Sequence, residues 1–475
     1  MDEKTFKFSV EWTRSRFFCG IDVHKYELAV AVYSQDDSRS EFAKTNLFTT
    51  DEKGLERFWN FVKKYQPSGF AMEATGIYHH VIYKFLVKKR TTIRWPFTIT
   101  VVNPVDASGI PGRQKNDKVD ALRLAKYLSK DLLPNGQPII EVLEDLKEIF
   151  RTATRIERDR TALKNRIKKT LDRAGIRPKR FNLNLQWVLE LLMYFIDSNQ
   201  SLGECINRIF EEEELLKPHR TKIAKNVQAF VPYLDSKLTS PQRAIIRQDL
   251  VELEFKTARK SLIAVEIDNV ILSRPGLRKQ AHNIASIPGI SPYSALWILA
   301  EIGSIKQFPN RSKFLAYCGC VPRIVSSAGK VYSAHVSRHS NPFLRTIFYN
   351  AAVVLSNLTK AKSHLKDFAV RTIARKATYS MKLAYCIIGT KIAKVVYGVL
   401  SKGVPYEPYF GERLRPQIPS NTFRFSVSDK ATVRRARNSL RRVAKIEGMG
   451  PLNIYSKELA KQLDLALQGK KVTVI

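Results

Sequence analysis

The stretch Phe17-Phe18-Cys19-Gly20-Ile21-Asp22-Val23 decides the fold at the start of this chain, together with the apolar run from Glu27 to Tyr33 that follows it. Both runs are rich in the β-branched and aromatic residues that strands favour. Because only a few polar residues separate them, we predict a hairpin whose turn is His24 to Tyr26. Asp22 lies at the polar end of the first strand, where a carboxylate beside apolar neighbours needs a cation or hydrogen-bond donors.

Helical and strand-like patterns alternate after this hairpin. Apolar residues at helical spacing predict helices at 55–65 and 81–87, and short apolar runs predict strands at 69–72 and 98–102. Alternation of this kind is typical of an α/β layer around a largely buried sheet. We therefore predict an α/β domain over residues 1–140.

Three more acids are candidate ligands alongside Asp22, and one of them, Glu73, shares its local setting. Glu73 ends the apolar strand at 69–72, while Asp117 and Asp120 begin an apolar helical pattern. The i, i+3 spacing places these two aspartates on one helical face, although acids at a helix start also complement the helix dipole. Four carboxylates on two strand ends and one helix start suit Mg²⁺, and paired Mg²⁺ ions can clamp the attacking and leaving oxygens of a phosphodiester. We predict that the four acids hold two Mg²⁺ ions, which Mn²⁺ could replace.

The charge balance of the chain predicts a polyanionic partner. The chain has 80 Lys and Arg against 44 Asp and Glu, which gives a net charge of +36 at pH 7. Such a charge costs self-repulsion in the compact state and favours binding to nucleic acid. The hydrophobic share of 44% excludes a wholly disordered chain, and a length of 475 residues favours about three domains.

Cysteine usage and hydropathy indicate where the protein acts. The five cysteines are too scattered for a disulfide framework, and the pair Cys318 and Cys320 has no second pair to complete a zinc site. The N-terminus lacks the apolar segment of a signal peptide. Because lysines interrupt the most apolar late stretch, 379–400, we predict no membrane span. The expected location is the cytoplasm.

Residues 141–275 are predicted to form a helical, coiled-coil domain. The apolar residues from Ile156 to Leu171 follow helical spacing, and those from Phe255 to Leu272 step by three and four, as at a helix–helix seam. Between Asp145 and Arg180, thirteen Lys or Arg stand against five Asp or Glu. Four of these basic residues are candidate contacts to nucleic-acid phosphates: Lys164, Arg166, Lys168 and Lys169.

The segment 276–410 is predicted to be a mainly helical domain, followed by a basic extension at 411–475. Residues 284–303 have the pattern of a helix, a Pro288-Gly289 hairpin and a second helix. Such a module could hold a phosphate on backbone N–H groups, although an ordinary αα-hairpin has the same pattern. A polar loop follows at 317–330, and a serine hydroxyl flanked by cations there could attack a phosphate. The candidate nucleic-acid contacts of this region are Gly289, Arg323, Lys330, Arg338, Asn341 and Arg345.

In the order of these motifs, the chain resembles the DEDD transposases of the insertion-sequence one-ten family. That family includes Piv-type DNA invertases and bridge-RNA-guided recombinases. The family's first acid lies in a Gly-x-Asp-x-His/Ala-Lys context, as Asp22 does, and its Met/Leu-Glu-Ala/Ser-Thr-Gly motif matches at Glu73. Its Lys-Thr-Asp-x-x-Asp-Ala motif matches residues 115–121, with Asn116 in place of Thr.

A second family pattern, Tyr-x-Gly…Pro…Ser-Gly…Gly-Asn-x-x-Leu-Arg, matches residues 317–345. This match places the family's nucleophilic serine on Ser327. Ala328 and Ser340 replace two glycines of the pattern, and a shift of one residue would select Ser326.

The resemblance implies a site-specific DNA recombinase. The four acids would bind Mg²⁺ in an RNase H-like (RuvC-like) domain, and Ser327 in the C-terminal transposase domain would attack the scissile phosphate to form a serine–DNA intermediate. In such enzymes the serine and the acids come from different subunits, which implies a homo-oligomer: a dimer on each DNA and a tetramer in synapsis. The helical middle is the expected place of subunit contact, and its basic surface suits a structured guide RNA.

Two other functions remain open from the residues alone. A metal-dependent Holliday-junction resolvase or nuclease that uses water would explain the four acids and the net charge, but not the serine loop. A non-catalytic nucleic-acid-binding protein would explain the net charge, and its binding would be sensitive to salt and indifferent to Mg²⁺.

Overall fold

The computed structural model describes most of the chain between residues 17 and 406 and a few positions beyond. These residues divide into two compact units. The first comprises the described residues within 17–144, 298–353 and 368–402, and the second those within 145–297, 354–367 and 403–475. The described residues are 17–35, 41–73, 77–93, 95–102, 116–133, 141–179, 181–211, 227–327, 330–336, 340–358, 363–376, 380–406, 433–434, 437–438, 440–441 and 461.

A five-stranded sheet organises the N-terminal part of the first unit. Its strands are β1 (Phe17–Val23), β2 (Glu27–Gln35), β3 (Glu41–Thr49), β4 (Gly69–Glu73) and β5 (Thr98–Val102), in the spatial order β3-β2-β1-β4-β5. β1 pairs antiparallel with β2, so the predicted hairpin is confirmed. β4 pairs parallel with both β1 and β5. This mixed α/β architecture confirms the predicted fold class at a coarse level and is compatible with an RNase H-like domain.

β3 has no counterpart among the strands predicted from the sequence. It pairs antiparallel with β2 along its whole length, from Thr49 opposite Glu27 to Glu41 opposite Gln35. Most of its residues are exposed because it lies at the edge of the sheet. An edge strand with so little buried surface lacks the apolar run by which the other strands were recognised.

Helices form much of the remaining described structure. The first three are α1 (Glu52–Val62), α2 (His79–Thr92) and α3 (Asp117–Ser129). The later ones are α4 (Glu141–Arg173), α5 (Gln186–Asp197), α6 (Leu202–Glu211), α7 (Ser240–Leu272), α8 (Pro275–Ala285), α9 (Pro292–Ile302), α10 (Arg311–Tyr317), α11 (Pro342–Asn357), α12 (His364–Lys376) and α13 (Met381–Lys402). A second, two-stranded sheet pairs β6 (Pro322–Ser327) with β7 (Lys330–Val336).

The two faces of the five-stranded sheet carry different residues because side chains alternate along a strand. Cys19, Ile21 and Val23 of β1 belong to one face, where they join an apolar cluster with α1 and α2. Gly20 and Asp22 belong to the other face, on which α3 packs. The strand therefore buries an apolar core on one side and presents a carboxylate towards α3 on the other.

α3 lies so close to β1 that only glycine fits at the point of contact. A Cβ atom on Gly20 would lie 2.0 Å from the carbonyl oxygen of Ala121 and 2.6 Å from the amide nitrogen of Ala125. The small side chains of Ala29 and Ala31 on β2 pack against Ala121 in the same way. This close packing determines how near the first turn of α3 comes to the sheet.

Two helices of 33 residues, α4 and α7, form the framework of the second unit. The helical spacing predicted from Ile156 to Leu171 is confirmed, and its apolar residues are buried. The apolar seam of α7 is buried between Ala258 and Val265, where it packs with Val433 and Leu440 of the C-terminal extension, whereas Leu272 is exposed. The coiled coil and the four-segment division of the chain stay predictions.

α8 and α9 flank the predicted turn at Pro288-Gly289. Gly289 has φ +94°, a left-handed conformation that residues with a Cβ atom rarely adopt. The helix–turn–helix path is therefore present, while phosphate binding by this turn stays a prediction.

Among the described residues, α13 is the one helix long and apolar enough to cross a membrane. The same helix packs inside the first unit. Its buried side chains run from Ala384 to Val399, and Gly389 lets it approach the backbone of Phe348 in α11. Phe314 of α10 packs against Tyr397. A core helix meets the same criteria of length and composition, and these contacts favour that interpretation.

Replacing Gly20 with Ala should lower the free energy of unfolding by about 3 kcal/mol, because the new methyl group would meet backbone atoms of α3. Urea unfolding followed by circular dichroism measures the change. The matched control is Gly398→Ala in α13, where a Cβ atom would meet nothing within 4 Å. That variant should gain about 0.5 kcal/mol from the alanine's helix propensity. A Gly20→Ala chain as stable as the parent would show that α3 is not held this closely to β1.

Candidate metal site and serine hairpin

Asp22 and Glu73 lie at neighbouring strand ends. The parallel register of β1 and β4 pairs Ile21 with Met72, so the next residue on each strand is an acid. Neighbouring strands are about 4.8 Å apart, and residues in register on parallel strands share a face. Glu73, which is half-buried, therefore lies on the same face of the sheet as Asp22, the face on which α3 packs.

The first turn of α3 supplies the other two predicted acids. Asn116 caps this helix, its side-chain oxygen accepting a hydrogen bond from the amide of Lys118 at 3.1 Å. Asp117 and Asp120 follow in the first turn. α3 runs from the ends of β1 and β4 back along the sheet, since Ala121 lies beside Gly20 and Leu128 beside Gly69. The fold thus brings all four acids to the same end of the sheet.

His24 completes a compact cluster that was not predicted from the sequence. Its Nε2 atom lies 3.4 Å from Oδ2 of Asp22 and 3.4 Å from Oδ2 of Asp117. One ligand atom from each of these three residues lies within 4.8 Å of the others. The available signal was the position of His24, two residues after Asp22 in the hairpin turn.

The surroundings of Asp22 disfavour its ionised form. Asp22 is 8% exposed, and burial raises the pKa of its carboxyl group above the usual value. His24 lowers the pKa of Asp22, while the carboxylates of Asp117 and Asp120 raise it further. A buried carboxylate surrounded by other acids is stabilised by a bound cation, which supplies the missing opposite charge.

The donor set fits the predicted Mg²⁺. Carboxylate oxygens are the protein ligands that Mg²⁺ and Mn²⁺ prefer, and an imidazole beside them is compatible with Mn²⁺. Asp120 also forms an ion pair with Arg123, whose Nη1 atom lies 3.1 Å from its Oδ1 atom. Asp22 and Asp117 are the two acids whose ligand atoms come together with His24, within 4.8 Å of one another.

The predicted serine loop is a β-hairpin, which we call the serine hairpin (residues 322–336). β6 and β7 are antiparallel, and the last pairs before the connection are Ser326 with Val331 and Ser327 with Lys330. The register is irregular between Val325 and Ser326. The loop prediction was wrong for these strands, which contain β-branched and aromatic residues such as Ile324, Val325 and Tyr332 among the small and polar ones. Ser327 occupies the last paired position at the end of β6.

The predicted nucleic-acid contacts near this hairpin differ in their surroundings. Arg345 is exposed on α11, whereas Asn341 is buried at the start of that helix. Arg338 and the side chains of Arg323 and Lys330 lie outside the described residues. The roles of these residues towards nucleic acid stay predictions.

The four predicted contacts on α4 also differ from one another. The guanidinium group of Arg166 donates two hydrogen bonds, of 3.0 and 2.6 Å, to Oδ1 of the buried Asp249. The ammonium group of Lys164 donates one of 2.6 Å to Asn184. Lys168 and Lys169 are exposed. Arg166 is exposed as well, but its guanidinium group is held by Asp249, whereas the two lysines present their charge to solvent.

Comparisons with known proteins agree with this architecture. Residues 19–176 match the family model of IS110 DEDD transposases, and residues 281–367 match a model described as the transposase IS116/IS110/IS902 family. The transposase for insertion sequence element IS1111A of Coxiella burnetii is 21% identical over 82% of this chain and 87% of its own length. A probable family 20 transposase of Pseudomonas aeruginosa is 22% identical over 74% of this chain and 88% of its own length.

These matches, together with a mixed sheet that gathers acids at one end, define a transposase, which is an enzyme that processes DNA. The chain belongs to the IS110 family of insertion-sequence transposases. The resemblance found in the sequence is thereby confirmed, and DNA is a partner of the protein.

Replacing Asp22 with Asn should stabilise the metal-free protein by about 1 kcal/mol, a size usual for one stabilising substitution. The variant removes a charge that burial and neighbouring acids disfavour. Because the pKa of Asp22 is raised in the folded state, the gain should be present at neutral pH and vanish below about pH 4, where Asp22 is protonated in both states. Thermal unfolding in the presence of a chelator measures it. An unchanged or lower midpoint at neutral pH would contradict the prediction.

Replacing Arg166 with Ala should lower the free energy of unfolding by about 2 kcal/mol, because the buried Asp249 would lose a charged hydrogen-bond donor. The matched variants Lys168→Ala and Lys169→Ala should stay within about 0.5 kcal/mol of the parent. They should instead weaken nucleic-acid binding, and each should lower the slope of log affinity against log salt concentration by about one. Equal stability losses in the three variants would contradict this division of roles.

Proposed function

We propose that this transposase exchanges DNA strands at specific sites through a serine–DNA intermediate, with Mg²⁺ held by the four acids. The observation that carries the proposal is the convergence of the acids at one end of the sheet, with side-chain atoms of Asp22, His24 and Asp117 within 4.8 Å of one another. A carboxylate cluster of this kind, in a chain of strongly positive charge, suits chemistry on a phosphodiester.

Asp22, Glu73, Asp117 and Asp120 are the residues that would hold the ions. When bound there, Mg²⁺ supplies positive charge that polarises the scissile phosphate and stabilises the charge that develops on its oxygens. The protein's own contribution is to pre-position these carboxylates, because β1, β4 and α3 are fixed relative to one another. His24 orients the carboxylates of Asp22 and Asp117 from the hairpin turn.

Ser327 is the proposed nucleophile. Its hydroxyl oxygen would bond to the scissile phosphorus as the phosphorus–oxygen bond to the leaving strand breaks, and the hydroxyl proton passes to a base or to water. The resulting phosphoserine ester keeps the free energy of the phosphodiester, so a hydroxyl of the exchanged strand can displace the serine without ATP. The support is the family pattern over residues 317–345 and the position of Ser327 at the end of β6.

A guide RNA and a homo-oligomer belong to the same proposal. The net charge of +36 and the exposed lysines of α4 suit a structured RNA recognised through its backbone. Site choice would then depend on base pairing rather than on protein side chains. A dimer on each DNA and a tetramer in synapsis would let one subunit's serine act with another subunit's acids.

Trapping the intermediate tests the chemistry. With cognate DNA and Mg²⁺, the parental chain should form a covalent protein–DNA adduct that resists denaturation. The adduct should fall at least about 1,000-fold in Ser327→Ala and in Asp22→Asn, because each change removes a group that acts directly on the phosphate. The measurement is denaturing electrophoresis of labelled DNA.

The matched control is Ser326→Ala, which should keep the adduct and leave Ser327 as the attachment site in peptide mapping. Loss of the adduct in Ser326→Ala but not in Ser327→Ala would move the nucleophile by one residue. Cleaved DNA with free ends and no adduct would favour a nuclease that uses water. DNA binding that is indifferent to Mg²⁺, without cleavage, would favour a non-catalytic protein.

A further inference from the structure

Asn341, the residue from which the chain enters α11 after the serine hairpin, uses both ends of its side-chain amide inside the protein. Its Oδ1 atom accepts hydrogen bonds from the amides of Phe343 and Leu344, at 2.9 and 3.1 Å, and so caps α11. Its Nδ2 atom donates a bond of 2.7 Å to Oε2 of Glu301 in α9. Asn341 is 8% exposed and Glu301 1% exposed, so this pair is shielded from water.

The segment before the hairpin is tied to the same place. The phenol of Tyr317, the last residue of α10, donates a hydrogen bond of 3.0 Å to the backbone carbonyl of Glu301. The backbone carbonyl of Tyr317 accepts a bond of 2.7 Å from the amide of Asn341. Glu301, Tyr317 and Asn341 therefore form a closed set of hydrogen bonds at the base of the hairpin, which we call the hairpin clamp.

The residues between Tyr317 and the hairpin are also held. Gly319 ends α10 with φ +65°, and the amide of Cys320 donates to the carbonyl of Leu315 at 3.0 Å. The carbonyl of Cys320 accepts a bond of 2.9 Å from the hydroxyl of Thr390 in α13. Only one residue separates Cys320 from the first residue of β6, so the start of the hairpin has little freedom.

The burial of the Glu301 carboxylate has a free-energy cost that requires an explanation. Removing a carboxylate from water costs free energy that an apolar side chain of similar size would not. The cost is explained if the carboxylate orients polar groups, and the amide of Asn341 is such a group. Packing alone would be served equally well by leucine or methionine.

We propose that Glu301 is a positioning residue, which fixes the base of the serine hairpin and thereby the place of Ser327. The inference rests on the proposed function, since the place of Ser327 matters for chemistry only if Ser327 attacks the phosphate. The side chain of Glu301 acts through Asn341, while its backbone carbonyl holds Tyr317, and Glu301 does not itself touch the DNA. A nucleophile must be placed within a fraction of an ångström of its attack line, and a misplacement of about 1 Å can cost about 100-fold in rate.

Exchanging the two side-chain groups of the clamp gives a sharp test. In Asn341→Asp the cap of α11 is kept, but a carboxylate oxygen replaces the donor and faces the carboxylate of Glu301. In Glu301→Gln the acceptor is kept, because an amide oxygen can still receive the bond from Asn341. The double variant exchanges amide and carboxylate, so that the amide at position 301 donates to the carboxylate at position 341 and the bond is restored.

Two readouts are taken on the full-length chain. Hydrogen exchange measured by mass spectrometry follows the backbone amides of residues 322–336, and adduct formation is timed at saturating cognate DNA with Mg²⁺. Asn341→Asp should speed exchange of the hairpin about tenfold and, at saturating DNA, slow adduct formation about 100-fold. Glu301→Gln should stay within about threefold of the parent, and the double variant should regain at least about tenfold of the lost rate.

The control is Asn310→Asp, which makes the same substitution at the exposed N-cap of α10. It should leave both readouts at parental values. Parental exchange and adduct rates in Asn341→Asp, or a double variant no better than Asn341→Asp, would overturn the role of Glu301. Absence of an adduct in the parental chain would instead refute the proposed serine chemistry, and the exchange data would still decide whether the clamp holds the hairpin.

Discussion

The contact between β1 and α3 at Gly20 is the constraint on which the candidate metal site depends. Backbone atoms of α3 occupy the space that any side chain at this position would need. Because Asp22 is two residues further along the same face of β1, the contact that Gly20 permits also brings Asp22 to the first turn of α3. The acids of that turn can then converge on Asp22. A glycine without chemical function thus controls the geometry of the reactive groups.

The convergence of acids is unfavourable for the metal-free fold. Burial and neighbouring carboxylates raise the pKa of Asp22, so its ionised form is destabilised in the metal-free fold, and a bound cation would stabilise it. Sites that bind metal commonly have this property, because a strained cluster gains more from the ion than a relaxed one. The apolar cluster on the opposite face of the sheet, centred on residues such as Ile21 and Phe58, provides the stability that offsets this cost.

The serine hairpin is held by a different kind of interaction. A buried set of hydrogen bonds around Glu301 and Asn341 fixes its base, where directional bonds specify position more sharply than apolar packing does. Asn341 and Arg166 were both interpreted from the sequence as contacts to nucleic acid. In the structure each forms close hydrogen bonds to a buried carboxylate, of Glu301 and Asp249 respectively. A sequence pattern identifies such residues as important without distinguishing a bond to a ligand from a bond within the protein.

The sequence by itself determined the hairpin of β1 and β2, the strands β4 and β5, the start of α3 and the family, because apolar runs, terminal acids and motif order are local features of the chain. Only the tertiary structure decided that His24 joins Asp22 and Asp117 and that β3 is the edge strand beside β2. It also decided that Glu301 bonds to Asn341, 40 positions away. Side-chain contacts across such separations depend on how the elements pack, and packing leaves no periodic signal in the sequence. Residue types therefore identified the candidate groups, while their positions relative to one another came from the fold.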